Sequence, residues 1–221
     1  MGRILITAIK YGESTFGEDN LFYGGDPNKS QPISFVAYLL RTKERLIMVD
    51  TGCVTMPGWN MEHFCGPINI LSQLNISPLD ITDVVITHAH HDHIELVSEY
   101  KNAVVHIQED EYELGKKYID NNMKVNIFDS ECDVCEGVKA IKIGGHSVGS
   151  CIVCVNTDGK EYVIAGDECY VPDCIINQVP TGCFVCLEKS RAFVKDYKDA
   201  NLLFCHDGAY LPGQSGFFNV N

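Results

Sequence analysis

Short apolar runs return along this chain at intervals that fit strands, and the stretches between them change character from turn-like to helical. The runs are Arg3 to Ile9, Ile33 to Leu40, Arg45 to Val49, Asp83 to Thr87, Ala103 to Ile107, Val138 to Ile143, Cys151 to Val155, Tyr162 to Ala165 and Asn201 to Phe204. Several are rich in Val and Ile, whose branched side chains pack well on a pleated surface. Leu39 to Ile47 reads as a hairpin, two apolar runs joined by a polar turn. Helical spacing shows where Ile68, Leu71 and Leu74 follow a three-residue step, punctuated by Ser77-Pro78-Leu79-Asp80. Gln108 to Lys117 carries its acids early and its bases late, the order that suits a helix dipole. Cys183 to Tyr197 predicts a longer amphipathic helix. Hairpins first, then strands alternating with helices, predict an α/β (α+β) chain of two mixed sheets with helices outside. No linker, repeat or compositional break divides the chain, so residues 1–221 are expected to form one domain.

Charge narrows the partners. With 17 basic and 30 acidic residues the formal net charge is −13, and no basic run exists. Nucleic-acid binding needs clustered Lys and Arg, so a phosphate-backbone partner is not expected. The apolar run in Met1 to Lys10 is too short for a signal-peptide core, and no stretch reaches membrane-span length. A cytoplasmic protein with a small-molecule partner and no membrane contact is the expectation; the oligomeric state stays open. In that setting the eleven cysteines are expected as reduced thiols. Three C-x-x-C pairs occur, Cys132/Cys135, Cys151/Cys154 and Cys183/Cys186, the first two at a spacing that formally fits a zinc ribbon. Cys151 to Val155 reads as a strand, however. Residues three apart on a strand face opposite ways and cannot hold one ion together. Small buried hydrophobes are therefore favoured over a structural zinc.

The chemistry concentrates in Thr87-His88-Ala89-His90-His91-Asp92-His93, directly after the run Val84-Val85-Ile86. The imidazoles of His88, His90 and His93 with the Asp92 carboxylate, leaving His91 aside, suit a transition metal, and four ligands are more than one catalytic ion takes from one loop. Two metals are therefore expected. Three further runs share one plan, an apolar strand followed at once by a metal-competent residue: His146 after Ile141-Lys142-Ile143-Gly144-Gly145, Asp167 after Tyr162 to Gly166, and His206 after Leu202 to Cys205. Loop ends on one edge of a rigid sheet are where catalytic groups converge.

The ordered set His88, His90, Asp92, His93, His146, Asp167 and His206 resembles the metallo-β-lactamase superfamily, and Asp50-Thr51-Gly52 after a strand resembles its first motif. The likeness spans residues 33 to 208. It implies an αββα sandwich with a dinuclear site at one edge. Carried over by position, His88, His90 and His146 would hold one metal, Asp92, His93 and His206 the other, and Asp167 would bridge them. Two metals roughly 3.5–4 Å apart can share a carboxylate and a hydroxide that attacks a carbonyl or phosphoryl centre. Zinc is the expected metal, with iron, manganese or cobalt fitting the same donors. The superfamily's flavodiiron members place a glutamate where this chain has His90, so the resemblance implies hydrolysis. Tyr170, three residues after Asp167, resembles the substrate-binding tyrosine of the N-acyl homoserine lactonase group, where it stabilises developing negative charge. Asp92 and Tyr170 are thus the candidate catalytic residues of an ester or lactone hydrolase.

The chain also departs from the lactonases. Ile94-Glu95-Leu96 stands where they carry a small residue and two glycines, Gly144-Gly145 replaces Pro-Gly, and Gly149-Ser150 replaces Gly-His. Thioester hydrolysis of the glyoxalase II kind shares all seven ligands but lacks a basic tail here, and a non-catalytic metal-binding or sensing module is the reading from another class. Plainer roles stand beside the sharp ones. Asp50 either orients a ligand histidine or caps a turn. Tyr170 either acts on substrate or packs. Trp59, Met61 and Phe64 either line the substrate mouth or cover a helix, and Tyr11 to Tyr23 could form a flap. His91 is read as exposed and outside the ligand set, and His63 and His106 as ordinary residues.

Overall fold

The computed structural model describes residues 2–221; Met1, part of the N-terminal run considered above, lies outside them. Twelve strands form among the described residues: β1 Leu5–Gly17, β2 Ser30–Arg41, β3 Leu46–Val49, β4 Asp83–Ile86, β5 Val104–Gln108, β6 Lys124–Phe128, β7 Glu131–Cys135, β8 Val138–Lys142, β9 Cys151–Thr157, β10 Lys160–Ile164, β11 Asn201–Leu203 and β12 Gly216–Asn219. They build a seven-stranded sheet in the order β12-β1-β2-β3-β4-β5-β6 and a five-stranded sheet in the order β11-β10-β9-β8-β7. Both sheets are mixed. β1, β2 and β3 pair antiparallel and β3 to β6 parallel, while β10 pairs antiparallel with β9 and parallel with β11. Parallel neighbours need crossovers, which supply α2 Pro67–Gln73, α3 His91–Ile94 and α4 Glu109–Gly115, after the short α1 Glu18–Leu21. α5 Pro172–Ile176 and α6 Leu187–Asp196 cover the second sheet.

Side-chain alternation explains the layering. One apolar cluster, including Ile6, Val36, Val49, Val85, Val138, Val153, Val155 and Ile164, draws on both sheets and fills the space between them. The other runs under the helices and holds the opposite-facing residues Val84, Ile86, Val105, Ile152, Val163 and Phe193. All four residues of β4 are buried, as a central parallel strand covered on both faces should be. Cys151 belongs to the cluster between the sheets and Cys154 to the one beneath the helices, so the two thiols of that C-x-x-C face opposite ways.

Three of the departures from the hydropathy reading have a clear physical reason. The segment Tyr11 to Gly17, read as part of a flap, continues β1 and pairs with Ser30 to Phe35 across a bulge at Tyr11. Its polar residues hid a strand held by ladder bonds. β7 alternates exposed and buried positions, so Cys132 and Val134 point inward. The helix expected from Cys183 starts only at Leu187. Among the described residues no helix is long and apolar enough to cross a membrane.

Every ligand-bearing loop leaves the same edge of the sandwich. β3 runs into Asp50, β4 into His88, β8 into His146, β10 into Asp167 and β11 into His206. The approach is close enough to demand glycine. Gly166 adopts φ +56°, and a Cβ there would sit 3.0 Å from Thr87. A Cβ on Gly145 would lie 2.3 Å from Glu168 Oε2.

Candidate metal centre

All seven residues of the expected ligand set meet at that edge. His88, His90, His146 and Asp167 form one group and Asp92, His93 and His206 a second, the ligand atoms of each lying within 4.8 Å of one another. Asp167 faces both. Its Oδ2 lies 3.4 Å from His88 Nε2 and 3.5 Å from His146 Nε2, while Oδ1 lies 3.4 Å from His93 Nε2 and 3.2 Å from His206 Nε2. Asp92 Oδ2 closes the second group at 3.6 Å from His93 Nε2 and 3.7 Å from His206 Nε2. In the first group His90 Nδ1 stands 3.0 Å from His88 Nε2 and 2.9 Å from His146 Nε2.

Hydrogen bonds outside the cage decide which nitrogen each ring presents. His93 Nδ1 lies 2.7 Å from Asp50 Oδ2, His146 Nδ1 3.0 Å from the Cys183 carbonyl and His206 Nδ1 2.9 Å from the Ser34 carbonyl. Each partner is an acceptor, so each Nδ1 carries a proton and Nε2 is the nitrogen turned inward, where a second proton or a metal ion can sit. His88 Nδ1 lies 3.1 Å from Thr87 Oγ1, whose own proton goes to Asp50 Oδ2 at 2.8 Å. Asp50 therefore orients His93 directly and His88 through Thr87. It also accepts from the Thr87 amide and sits at φ +61°, a strained backbone at a functional turn. Cys205 lies near Asp50 and His93 as a further ligand-like group, but there the contact runs through the protonated Nδ1 and burial keeps the thiol protonated.

The loop carrying the motif is pinned by three hydrogen bonds from two residues. The Tyr11 hydroxyl donates to the Asp92 carbonyl at 2.7 Å, and the Thr51 amide and hydroxyl both donate to the His93 carbonyl. On the other loop Glu168 Oε1 accepts from the Gly145 and His146 amides and from the Ser150 hydroxyl. Burial pushes the Glu168 carboxyl up to about 7 in spite of those bonds.

Electrostatics fit a cationic occupant. Burial alone would raise Asp167, yet His93, His206 and His88 hold it well below the ordinary carboxylate range. Burial alone would lower His93, yet Asp167, Asp92 and Asp50 hold its ring well above the usual imidazole range, and Asp167 raises His206 against its burial. Burial keeps His88 and His146 neutral. His93 Nε2 and Asp167 Oδ1 are buried without a hydrogen-bond partner, two acceptor lone pairs facing each other. Such atoms are costly to bury unless a proton or a metal ion lies between them. The donor set of imidazole nitrogens and carboxylate oxygens is the one that borderline divalent ions take.

Above the cage lies a cavity of about 320 Å³. His90, Asp92, His146, Asp167 and His206 form its floor, and Phe16, Ile33, Phe35, Met56 and Trp59 its walls. Trp59 thus lines the mouth as one sequence reading had it, and it packs 4.7 Å from Phe16, centroid to centroid. Met61 and Phe64 do not line this cavity. Tyr170 is buried with its ring 5.3 Å from that of His206 and 5.8 Å from that of His146. Its hydroxyl meets the Cys183 thiol, and burial together with Asp167 keeps it protonated far above neutral pH. His91 is half-buried, beside Tyr118 and the Thr55 carbonyl, and also borders the cavity. His106, read as ordinary, is buried between Asp83 Oδ1 at 2.9 Å and Asn126. Glu111 and Glu168 went unnoticed in the sequence, because nothing in an acidic run tells a buried carboxylate from a solvated one.

Comparison with known proteins agrees with this geometry. Residues 36–192 match the family model of the metallo-beta-lactamase superfamily. A probable metallo-hydrolase of Methanocaldococcus jannaschii is 32% identical over 110 residues, 50% of this chain and 48% of the relative, so that alignment spans about half of the relative's length. An N-acyl homoserine lactonase of Bacillus cereus is 26% identical over 167 residues, 65% of this chain and 67% of the relative. The crystal structure of a quorum-quenching N-acyl homoserine lactone hydrolase superimposes with a TM-score of 0.81 at 22% identity, covering 94% of this chain and 93% of that one.

Proposed function

The chain belongs to the metallo-β-lactamase superfamily, and on that footing we propose that it is a dinuclear metal-dependent hydrolase of small molecules with an ester-like carbonyl, a lactone foremost. The observation that carries the reading is the shared carboxylate, with Asp167 Oδ2 turned to His88 and His146 and Oδ1 to His93 and His206. His88, His90, His146 and Asp167 would hold one divalent ion, and Asp92, His93, His206 and Asp167 the other. When bound, such a pair supplies a water deprotonated near neutral pH and a Lewis acid for the oxygen that gains charge. Zinc suits the donors, as do iron, manganese and cobalt.

The protein's own residues supply orientation, exclusion of water and proton placement. Asp50, Ser34 and Cys183 hold three rings in the tautomer that turns Nε2 inward. The walls of Phe16, Ile33, Phe35, Met56 and Trp59 seat an apolar substrate and strengthen every charge interaction beneath it. Tyr170 keeps its proton and can donate it in a hydrogen bond to the carbonyl oxygen as charge builds there. Asp92 Oδ, on the same floor, is the carboxylate in position to take the proton of the hydroxyl added to the carbonyl carbon and pass it to the departing alkoxide as the ester C–O bond breaks. No Lys or Arg is among the lining residues, which favours a neutral ester over a phosphodiester or an anionic thioester.

A panel of lactones, open esters, thioesters and phosphodiesters, assayed on zinc-loaded protein, tests this. Lactones or neutral esters should be turned over best. Fast phosphodiester cleavage would overturn the substrate class, and no turnover of any member by protein holding two metal equivalents would leave a binding or sensing module instead.

A further inference from the structure

Glu111 in α4 is buried, and its carboxylate hydrogen-bonds to nothing on its own helix. Oε2 accepts from the Ala89 amide at 2.7 Å, and Oε1 from the Ser147 hydroxyl at 2.6 Å and the Gly149 amide at 2.9 Å. The role that its position suggests, a charge near a helix start, is served otherwise: Gln108 caps α4 by accepting from the Asp110 amide at 2.7 Å. A carboxylate taken out of water persists only where hydrogen bonds replace its hydration. Here all three donors come from two loops that carry histidines of the cage.

Those loops belong to different sheets. Ala89 lies between His88 and His90, after β4 of the seven-stranded sheet, and Ser147 follows His146, after β8 of the five-stranded sheet. The second loop rests directly on α4, for a Cβ on Gly149 would lie 2.1 Å from Gln108 Oε1 and 2.9 Å from Glu111 Cγ. Glu111 is thus a brace across the sandwich at the level of one ligand group. Asp92, His93 and His206 receive no hydrogen bond from it; their anchors are Tyr11 on the Asp92 carbonyl, Asp50 and the Ser34 carbonyl.

We infer that Glu111 is a positioning residue for the three-histidine group alone, setting the separation of the His88/His90 and His146 loops and hence the affinity of that group for its metal ion. The inference rests on the metal-binding role proposed above. It adds that the two halves of the site can be weakened separately from a residue that touches neither ion.

Cobalt(II) titration, followed by visible absorption and by competition with a chelator, tests it on the full chain. Wild type should take up two equivalents. In Glu111→Gln one equivalent should bind about 10–100-fold more weakly, the usual effect of removing a partner behind the ligands, and the other should stay within about threefold of wild type. The spectrum of the ion retained at low cobalt should match that of His146→Ala, in which a ligand of the three-histidine group is missing. Ser147→Ala removes one donor and leaves the two backbone amides, so it should shift the same equivalent in the same direction by less, and it carries the test if Glu111→Gln does not fold. Unchanged affinity for both equivalents, equal weakening of both, or a retained spectrum unlike that of His146→Ala would overturn the role of Glu111. Wild type taking up no cobalt would instead overturn the metal-binding reading beneath it.

Discussion

The two halves of the cage are built differently. In the Asp92, His93 and His206 half every group is buried, and both rings are fixed through their outward nitrogens, His93 by Asp50 and His206 by the Ser34 carbonyl. In the other half His90 is exposed, His146 is fixed by the Cys183 carbonyl and His88 through Thr87, and the loops themselves are gripped by Glu111 and Glu168 through backbone amides and serine hydroxyls. Ring anchoring fixes a lone pair's direction. Loop bracing fixes only where the backbone stands. Both halves reach the floor of the aromatic cavity, one through Asp92 and His206 and the other through His146 and the exposed His90. Asp167 is the one side chain common to both.

Substitutions that respect this division should separate the halves. Asp167→Asn removes charge from both groups and should lower kcat/KM by about a thousandfold or more, roughly 4 kcal/mol of transition-state stabilisation, with metal content falling well below that of wild type. An Asp167→Asn protein with full metal content would break the bridging role. Tyr170→Phe leaves both groups intact. It should keep wild-type metal content yet lose about 100-fold in kcat, as expected for one hydrogen-bond donor to a developing oxyanion; an unchanged kcat would make Tyr170 a packing residue. Asp50→Asn loosens His93 directly and His88 only through Thr87, so metal affinity should fall about 10–100-fold, measurable by chelator competition, and more at the buried half. Trp59→Ala lies outside the cage altogether. It should raise KM for an apolar ester by about 10-fold, near 1.4 kcal/mol, with kcat little altered; a collapse of kcat instead would place Trp59 in the chemistry.

How much of this was legible beforehand follows the same division. The ligand residues stand at strand ends in an apolar-run-then-ligand pattern, which period-2 burial writes into the sequence. β4 with His88, β8 with His146, β10 with Asp167 and β11 with His206 could all be read that way. Asp50 was legible for the same reason, following β3. Glu111, Glu168 and the Ser34 carbonyl were not. A backbone acceptor has no residue signature, and an acid in Gln108 to Lys117 looks solvated until the chain brings Ala89 and Gly149 onto it. The extension of β1 through Gly12, Glu13, Ser14 and Thr15 escaped notice because its stability comes from pairing with β2 rather than from apolar burial. Phe16, at its end, forms part of the cavity wall and could not have been placed there from hydropathy.

The central claim is that both groups of ligands act together on one substrate. It is tested most directly by following hydrolysis of the best lactone or ester as zinc is added to metal-free protein. The rate should rise until two equivalents per chain are bound and then stay level. A rate that saturates at one equivalent, or that stays at the uncatalysed value with both equivalents bound, would contradict it.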